Sequence, residues 1–375
     1  MKLKTRLCDI LGIDYPIIQA GMGWDELGSC TPPELVAAVS NAGGLGVIGG
    51  SPMQPELIRE RIRQTRALTD RPFGVGITLP RYSGESTATD IASVRRTIEE
   101  SHPEHLKFVT KLIQDLGLKP QGPDTRTWVK TPEAMQRQLE VILEERVPFL
   151  SIGRGDTAQV VPLAHRMGIK VLALAGNVRH AVRHARNGAD VIVAQGHEAG
   201  GHTGKIASFA LLPQVVDAVR PTPVVAAGGI ADGRGIAAAL SLGATGVWCG
   251  TVFLLSNESW IHSEYRKQVV NGSSEDFVID RYFTGGPARH YRSEVFQAWE
   301  KSGLPALGMP YQAALMDEIR RAAEAANRVD VMSVPGGQIA GLLGEKDVRP
   351  AREILEGMMN QAAEILKKMA TGYVV

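Results

Sequence analysis

Two histidines and a glutamate share one glycine-rich stretch, VIVAQGHEAGGHTG, at residues 191–204. Three kinds of chemistry suit such residues: a metal site, proton exchange, or none, with the side chains serving the loop itself. A metal site needs several donors converging at about 2.0–2.2 Å. His197 and His202 are five positions apart in a loop, no cysteine lies nearby, and no aspartate follows before Asp217. No metal is expected on that spacing. An imidazole can instead exchange a proton near neutral pH. Gly200 and Gly201 would let the backbone pass close beneath a flat ligand and hold the His202 ring over it. His202 is therefore the expected catalytic residue, and His197 is expected to be satisfied by backbone groups.

The second signal is VVAAGGIADGRG followed by GVWCGT. Glycines let backbone N–H groups approach an anion, and a following helix offers its positive N-terminus. Gly228 and Gly229 at one apolar run, and Gly250 and Thr251 at the next, are expected to hold a phosphate; tight turns are the plain alternative. QAGMGW places Ala20, Gly21 and Met22 at the end of the first run, either against a ligand ring or as a simple exit turn. Arg154 and Asp156 in SIGRGD read as a solvated loop, and Cys249 as a buried, inert thiol. GLGVIG (44–49) matches a dinucleotide pattern in letters only. A helix precedes it and its glycines fall inside a strand, so they are expected to let that strand pack tightly.

These residues need a scaffold. Eight short apolar runs recur: 16–20, 45–49, 73–79, 149–153, 170–175, 190–195, 223–229 and 246–250. They are continuous, as in parallel strands covered on both faces. Helical patterns alternate with them, several with recognisable ends: Asn177 and Asp232 as N-caps, Gly188 as a stop. Alternating β and α elements predict an α/β fold, a (β/α)8 TIM barrel over 1–257, in preference to an open doubly wound sheet. An insertion at 81–130 and a mainly helical region at 258–375 are expected to form a cap.

Composition removes several function classes. A net charge of +1 and 5% aromatics give no footprint for nucleic acid. No apolar run approaches the roughly 18 residues of a membrane span. The N-terminus lacks the apolar stretch of a signal peptide. Three scattered cysteines fit a reducing cytosol, so a cytoplasmic protein is expected.

At these residues the chain resembles the nitronate monooxygenase family, also called 2-nitropropane dioxygenases, and is similar in architecture to flavin-dependent enoyl-ACP reductases of the second type. The matching elements are PIIQAGM, AGGLGVIGG, PFGVGITLP, AQGHEAGGHTG, AAGGIADGRG and WCGTVFL, then FTGGPAR (283–289) and GGQIAGLL (336–343). AQGxEAGGH is the most specific. The resemblance implies non-covalent FMN, with Gln195, Gly200 and Gly201 beside the ring and Ala20, Gly21 and Met22 on its other side. It implies Gly228, Gly229, Gly250 and Thr251 at the phosphate, Gly76, Trp248 and Cys249 at family positions around the cofactor, and His202 as the active-site histidine. Five positions depart from the family pattern: Gly76 replaces an Asn, Trp248, Cys249 and Val252 replace the Gln, Met and Arg of Gln-Met-Gly-Thr-Arg, and Gly286 replaces the first Arg of Thr-Gly-Arg-Pro-Ala-Arg. The implied reaction is oxidation of an alkyl nitronate by molecular oxygen. The alternatives are an NAD(P)H-dependent flavin reductase acting on an activated double bond or quinone, and a barrel that binds FMN or a phosphorylated ligand without turnover. Inosine-monophosphate-dehydrogenase-like chemistry is set aside because residues 196–210 contain no cysteine. A small-molecule substrate is the expected partner, and a homo-oligomer is left open.

Overall fold

Continuous apolar runs become strands here because helices cover one face and the barrel interior covers the other. The structure is a computed structural model that describes residues 3–23, 30–79, 91–121, 132–332 and 334–372. Its strands are β1 (Ile17–Gln19), β2 (Gly46–Gly49), β3 (Phe73–Thr78), β4 (Phe149–Arg154), β5 (Lys170–Ala175), β6 (Val191–Gln195), β7 (Gly201–His202), β8 (Val224–Ala227), β9 (Gly246–Cys249), β10 (Phe277–Asp280) and β11 (Ala288–Tyr291). Eight of them form one parallel sheet in the order β1-β9-β8-β6-β5-β4-β3-β2. The two ends meet: Gln19 N–H donates to Leu45 O at 2.9 Å and Leu45 N–H to Ile17 O at 3.0 Å, closing the expected (β/α)8 barrel. Each of the eight expected runs supplies one barrel strand.

Alternate residues of each strand have different surroundings. Ile18, Ala20, Val47, Phe149, Val193, Val225, Ala227 and Trp248 share one cluster inside the barrel. Ile17, Ile192, Ala194, Val224, Ala226, Val247 and Cys249 instead pack with the surrounding helices. The helix ends follow the sequence signals. Asn177 Oδ1 accepts His180 N–H at 2.9 Å, Asp232 Oδ1 accepts Arg234 N–H at 2.9 Å, and Gly188 has φ +88°. The glycines of GLGVIG serve packing: a Cβ on Gly46 would lie 2.2 Å from Val36 O on helix Pro33–Asn41.

The insertion and the C-terminal region share a second core. Val94, Ile98, Val109 and Leu112, from helices Ile91–Ser101 and Pro103–Asp115, pack with Leu315 and Ile319 of helix Tyr311–Ala325. Arg95 pairs with Glu318 across them at 3.0 Å. Residues 81–90 and 122–130 of the expected insertion lie outside the described residues. The last helix, Ala351–Gly372, packs on the barrel. A Cβ on Gly233 would lie 2.3 Å from Ala362 N, and Gly233 N–H donates to Gln361 Oε1 at 2.7 Å. This helix joins the outer layer with helices Gly233–Ser241 and Pro33–Asn41, so the region expected as one cap divides in two. An element not anticipated from sequence is the antiparallel sheet β10-β11-β7, which ties the C-terminal region to the loop after β6.

Candidate active site

The strands of a barrel deliver their C-terminal ends to one rim. Ala20 N–H donates to Cys249 O at 2.8 Å, joining the exits of β1 and β9. A Cβ on Gly250 would meet Met22 Sδ at 3.4 Å and Ala20 Cβ at 3.6 Å, so these three residues adjoin. Gly21 leaves no room for a side chain, since its Cβ would lie 2.9 Å from Ile48 O. Gly76 faces Gly49 and Ser151 on the neighbouring strands. A Cβ there would lie 2.7 Å from Ser151 Oγ, so Ser151 occupies the room an asparagine at 76 would take. Trp248 points into the barrel, whereas the Cys249 thiol is buried among the outer helices and burial pushes it up to about 12. Any contribution of Cys249 at the rim therefore comes from its backbone.

After β8, Gly228 and Gly229 turn the chain with φ +89° and +76°, values that side-chain-bearing residues rarely adopt. Helix Gly233–Ser241 follows directly. Among the described residues, the N–H groups of Gly228, Gly229 and Gly250 have no backbone partner. Unpaired amides beside a helix N-terminus are the donor set that a phosphate accepts from. The Thr251 hydroxyl already accepts Gly337 N–H at 2.9 Å, so it positions the 336–337 segment.

The HEAGGH loop lies beside this turn, where a Cβ on Gly228 would be 3.0 Å from Gly196 O. Glu198 is structural. Its carboxylate accepts Ser208 N–H at 3.1 and 3.0 Å and Ser208 Oγ–H at 2.9 Å, at the first residue of helix Ser208–Val219. A negative charge there also answers the helix dipole. His197 is half-buried; its Nδ1 lies 3.4 Å from Gly204 O, and its carbonyl accepts the Arg289 guanidinium at 2.9 Å. Among the described residues, no group of three or more His, Cys, Asp or Glu side chains is disposed to hold a metal ion.

His202 is exposed on β7, where Gln195, β11 and Thr284 are among the groups that hold it. Gln195 Nε2–H donates to His202 O at 2.7 Å. β11 pairs with β7 through Ala288 opposite His202 and Arg289 opposite Gly201. Thr284 Oγ lies 3.1 Å from His202 Nε2. Gly200 permits the arrangement, because a Cβ there would stand 2.6 Å from Gly336 C and 2.7 Å from Gly337 N. Thus His202, Gln195, Gly200 and Gly201 gather on one side of the rim, Gly228 and Gly229 abut their loop, and Ala20, Met22 and Gly250 adjoin one another where β1 and β9 end.

Residue-by-residue reasoning did not single out Thr284, Arg289 or Gly337; the available signal was their membership of FTGGPAR and GGQIAGLL. Arg289 is buried, donates to Phe277 O as well as His197 O, and has its pKa lowered by burial against the opposing charge of Glu198. Arg154 ends β4 with Nη1 3.6 Å from Met309 Sδ, and Asp156 accepts Ala158 N–H at 3.1 Å in a local turn. No helix among the described residues is long and apolar enough to cross a membrane.

Known proteins resemble this chain over nearly its whole length. The family pattern described as nitronate monooxygenase matches residues 4–361. A protein of Mycobacterium tuberculosis that carries a provisional monooxygenase name is 37% identical, over 96% of each chain. Nitroalkane oxidase from Streptomyces ansochromogenes is 29% identical with a TM-score of 0.81, over 97% of this chain and 99% of that one. FabK from Thermotoga maritima is 32% identical with a TM-score of 0.77, over 99% of this chain and 100% of that one. The chain belongs to the nitronate monooxygenase family and is an oxidoreductase of the flavin-dependent class.

Proposed function

We propose that this protein binds FMN at the barrel mouth and oxidises alkyl nitronates with molecular oxygen. The observation that carries the reading is the placement of His202, an exposed imidazole fixed by Gln195 and β11 on the same rim as the Gly228–Gly229 turn. The residues present suit the cofactor. The amides of Gly228, Gly229 and Gly250 would hold its phosphate, Ala20, Gly21 and Gly200 offer its ring a surface of small residues, and the Met22 thioether adds an apolar contact beside them. When bound there, FMN would supply the two-electron oxidation and the reaction with oxygen. His202 would orient the nitronate and hold or exchange a proton at its imidazole. Gln195 would keep the His202 backbone in place while the substrate binds. The likeness to nitroalkane oxidase supports the substrate class.

The test uses two variants. His202→Asn should retain its flavin and lose nitronate oxidation by about 100-fold or more, the low end of a positioned acid–base group. Gly229→Val, which places a branched side chain at φ +76°, should lose bound FMN. A His202→Asn protein that oxidises nitronates at the wild-type rate would sink the assignment.

A further inference from the structure

The strand pair β10–β11 is built more firmly than a surface hairpin needs. At its base, the carboxylate of Asp280 and Nδ1 of His290 lie 3.2 Å apart, both side chains almost wholly buried. The other Asp280 oxygen accepts Tyr282 N–H at 2.6 Å, and the Phe283 ring lies 4.8 Å from the His290 ring. Gly285 N–H donates to Arg281 O at 2.9 Å. Gly285 itself has φ +82°, and a Cβ there would lie 2.6 Å from Leu307 O, so the loop is pressed against the 307–309 segment. Gln312 closes the other side, accepting Leu307 N–H at 2.8 Å and donating to Tyr282 O. Everything fixed in this way converges on one side chain at the tip, Thr284.

Thr284 Oγ lies 3.1 Å from His202 Nε2, and it also accepts Gly286 N–H at 3.3 Å. Its single proton has two acceptors in reach, His202 Nε2 at 3.1 Å and Gly286 O at 3.3 Å. The histidine is the nearer. Gly286 contributes by having no side chain: a Cβ there would stand 3.4 Å from both Cδ2 and Nε2 of His202 and 3.3 Å from Met309 Cε. Bare backbone lets the loop lie flat against that edge of the ring.

We propose that Thr284 is a positioning residue for His202: its hydroxyl donates to Nε2, fixes the ring orientation, and keeps the neutral imidazole in the Nδ1–H form. The second ring nitrogen is set by the bond the first one makes, which is how a neighbouring hydroxyl selects a tautomer. A site held by such a preorganised arm loses rate before it loses binding when the arm is cut. The catalytic part of this inference rests on the nitronate-oxidising reading above; the tautomer part does not.

The experiment compares wild type, Thr284→Val and Thr284→Ser, each loaded with FMN. Two-bond 15N–1H spectra of the histidine rings, at about pH 8 where the neutral form of an ordinary histidine dominates, report the tautomer. His202→Gln identifies the His202 signals by their loss. Wild type and Thr284→Ser should show the proton of His202 on Nδ1; Thr284→Val should show a mixture or the Nε2 form. In parallel, the limiting rate of anaerobic flavin reduction by a nitronate should fall by about 10-fold in Thr284→Val, with KM within about twofold, and return in Thr284→Ser. If Thr284→Val does not fold, Thr284→Ala takes its place. A wild-type ring protonated on Nε2, or an Nδ1–H signal and a rate both unchanged in Thr284→Val, overturns the proposal. If nitronates do not reduce the wild-type flavin at all, the function reading fails, and the ring spectra alone still decide whether Thr284 sets the state of His202.

Discussion

Replacing Glu198 by alanine should cost stability and leave the chemistry at His202 in place. The carboxylate accepts the Ser208 amide through both oxygens and the Ser208 hydroxyl through one, at 2.9–3.1 Å. Alanine removes all three bonds and leaves the first amide of helix Ser208–Val219 without its acceptor. Losing a helix cap costs about 0.5–2 kcal/mol, and hydrogen bonds to a charged group about 1.5–3 kcal/mol. Since these are the same bonds counted two ways, a net loss of about 2 kcal/mol follows. With about 2.1 cal/mol/K of unfolding entropy per residue, a chain of 375 residues has roughly 0.8 kcal/mol/K, so Tm should fall by about 2–3 °C. Urea unfolding followed by far-UV circular dichroism gives the free energy, and nitronate-driven flavin reduction gives the activity. Glu198→Gln, which keeps one carbonyl acceptor, should fall between. The reasoning is refuted if Glu198→Ala unfolds like wild type and loses flavin reduction by more than about 100-fold, because the carboxylate would then be an acid–base group.

Three other outcomes follow from the same geometry. Gly200→Ala would place a Cβ 2.6 Å from Gly336 C, forcing two backbones apart; a loss of about 1–3 kcal/mol is expected in urea unfolding, with weaker flavin retention on dialysis. Arg289→Met should strand the carbonyls of His197 and Phe277 and destabilise by about 2–4 kcal/mol, seen as a lower Tm, whereas an unchanged Tm would show that the clamp is not energetically coupled to the loop. His184 is buried against Thr157 Oγ at 3.0 Å, and burial, with Arg183 and His180 nearby, lowers its pKa from 6.5 to about 4. Between these values the unfolded chain binds the proton and the folded chain does not, so stability rises with pH in that window. The contribution is fully present above about pH 6.5, falls by about 3 kcal/mol in total as pH drops to about 4, and is flat below. Urea midpoints from pH 4 to 8 should show this slope, and His184→Gln should remove that part of it.

The barrel was legible because each of its strands is an uninterrupted apolar run and each helix carries its own end signals. DVIVAQ, PVVAAGG and GVWCG need no knowledge of their partners to be read as strands. Asn177 and Asp232 act as caps through atoms within three residues, a local event that local sequence can announce. The close backbone approach beside His202 was legible for a related reason, since the paired glycines Gly200 and Gly201 announce it and Gly200 does press against Gly336. What holds His202 was not legible. β7 has two residues, too short for any period, and exists because Ala288 and Arg289 pair with it from almost 90 positions away. Thr284 looks like any turn threonine until β10 and β11 bring it to the ring. The last helix misled in a similar way: its amphipathic pattern shows one apolar face but not whether that face meets the cap or the barrel. Gly233 decides that by leaving room for Ala362.

The central claim is that the site takes electrons from a nitronate. The most direct measurement is the absorbance spectrum of the FMN-loaded protein under anaerobic conditions, to which NADH, NADPH and an alkyl nitronate are added in turn. The account predicts a flavin spectrum that the pyridine nucleotides leave unchanged and the nitronate bleaches within seconds, with colour returning when oxygen is admitted. Rapid bleaching by NADH or NADPH, with none by the nitronate, would contradict it and make the protein a pyridine-nucleotide-driven reductase.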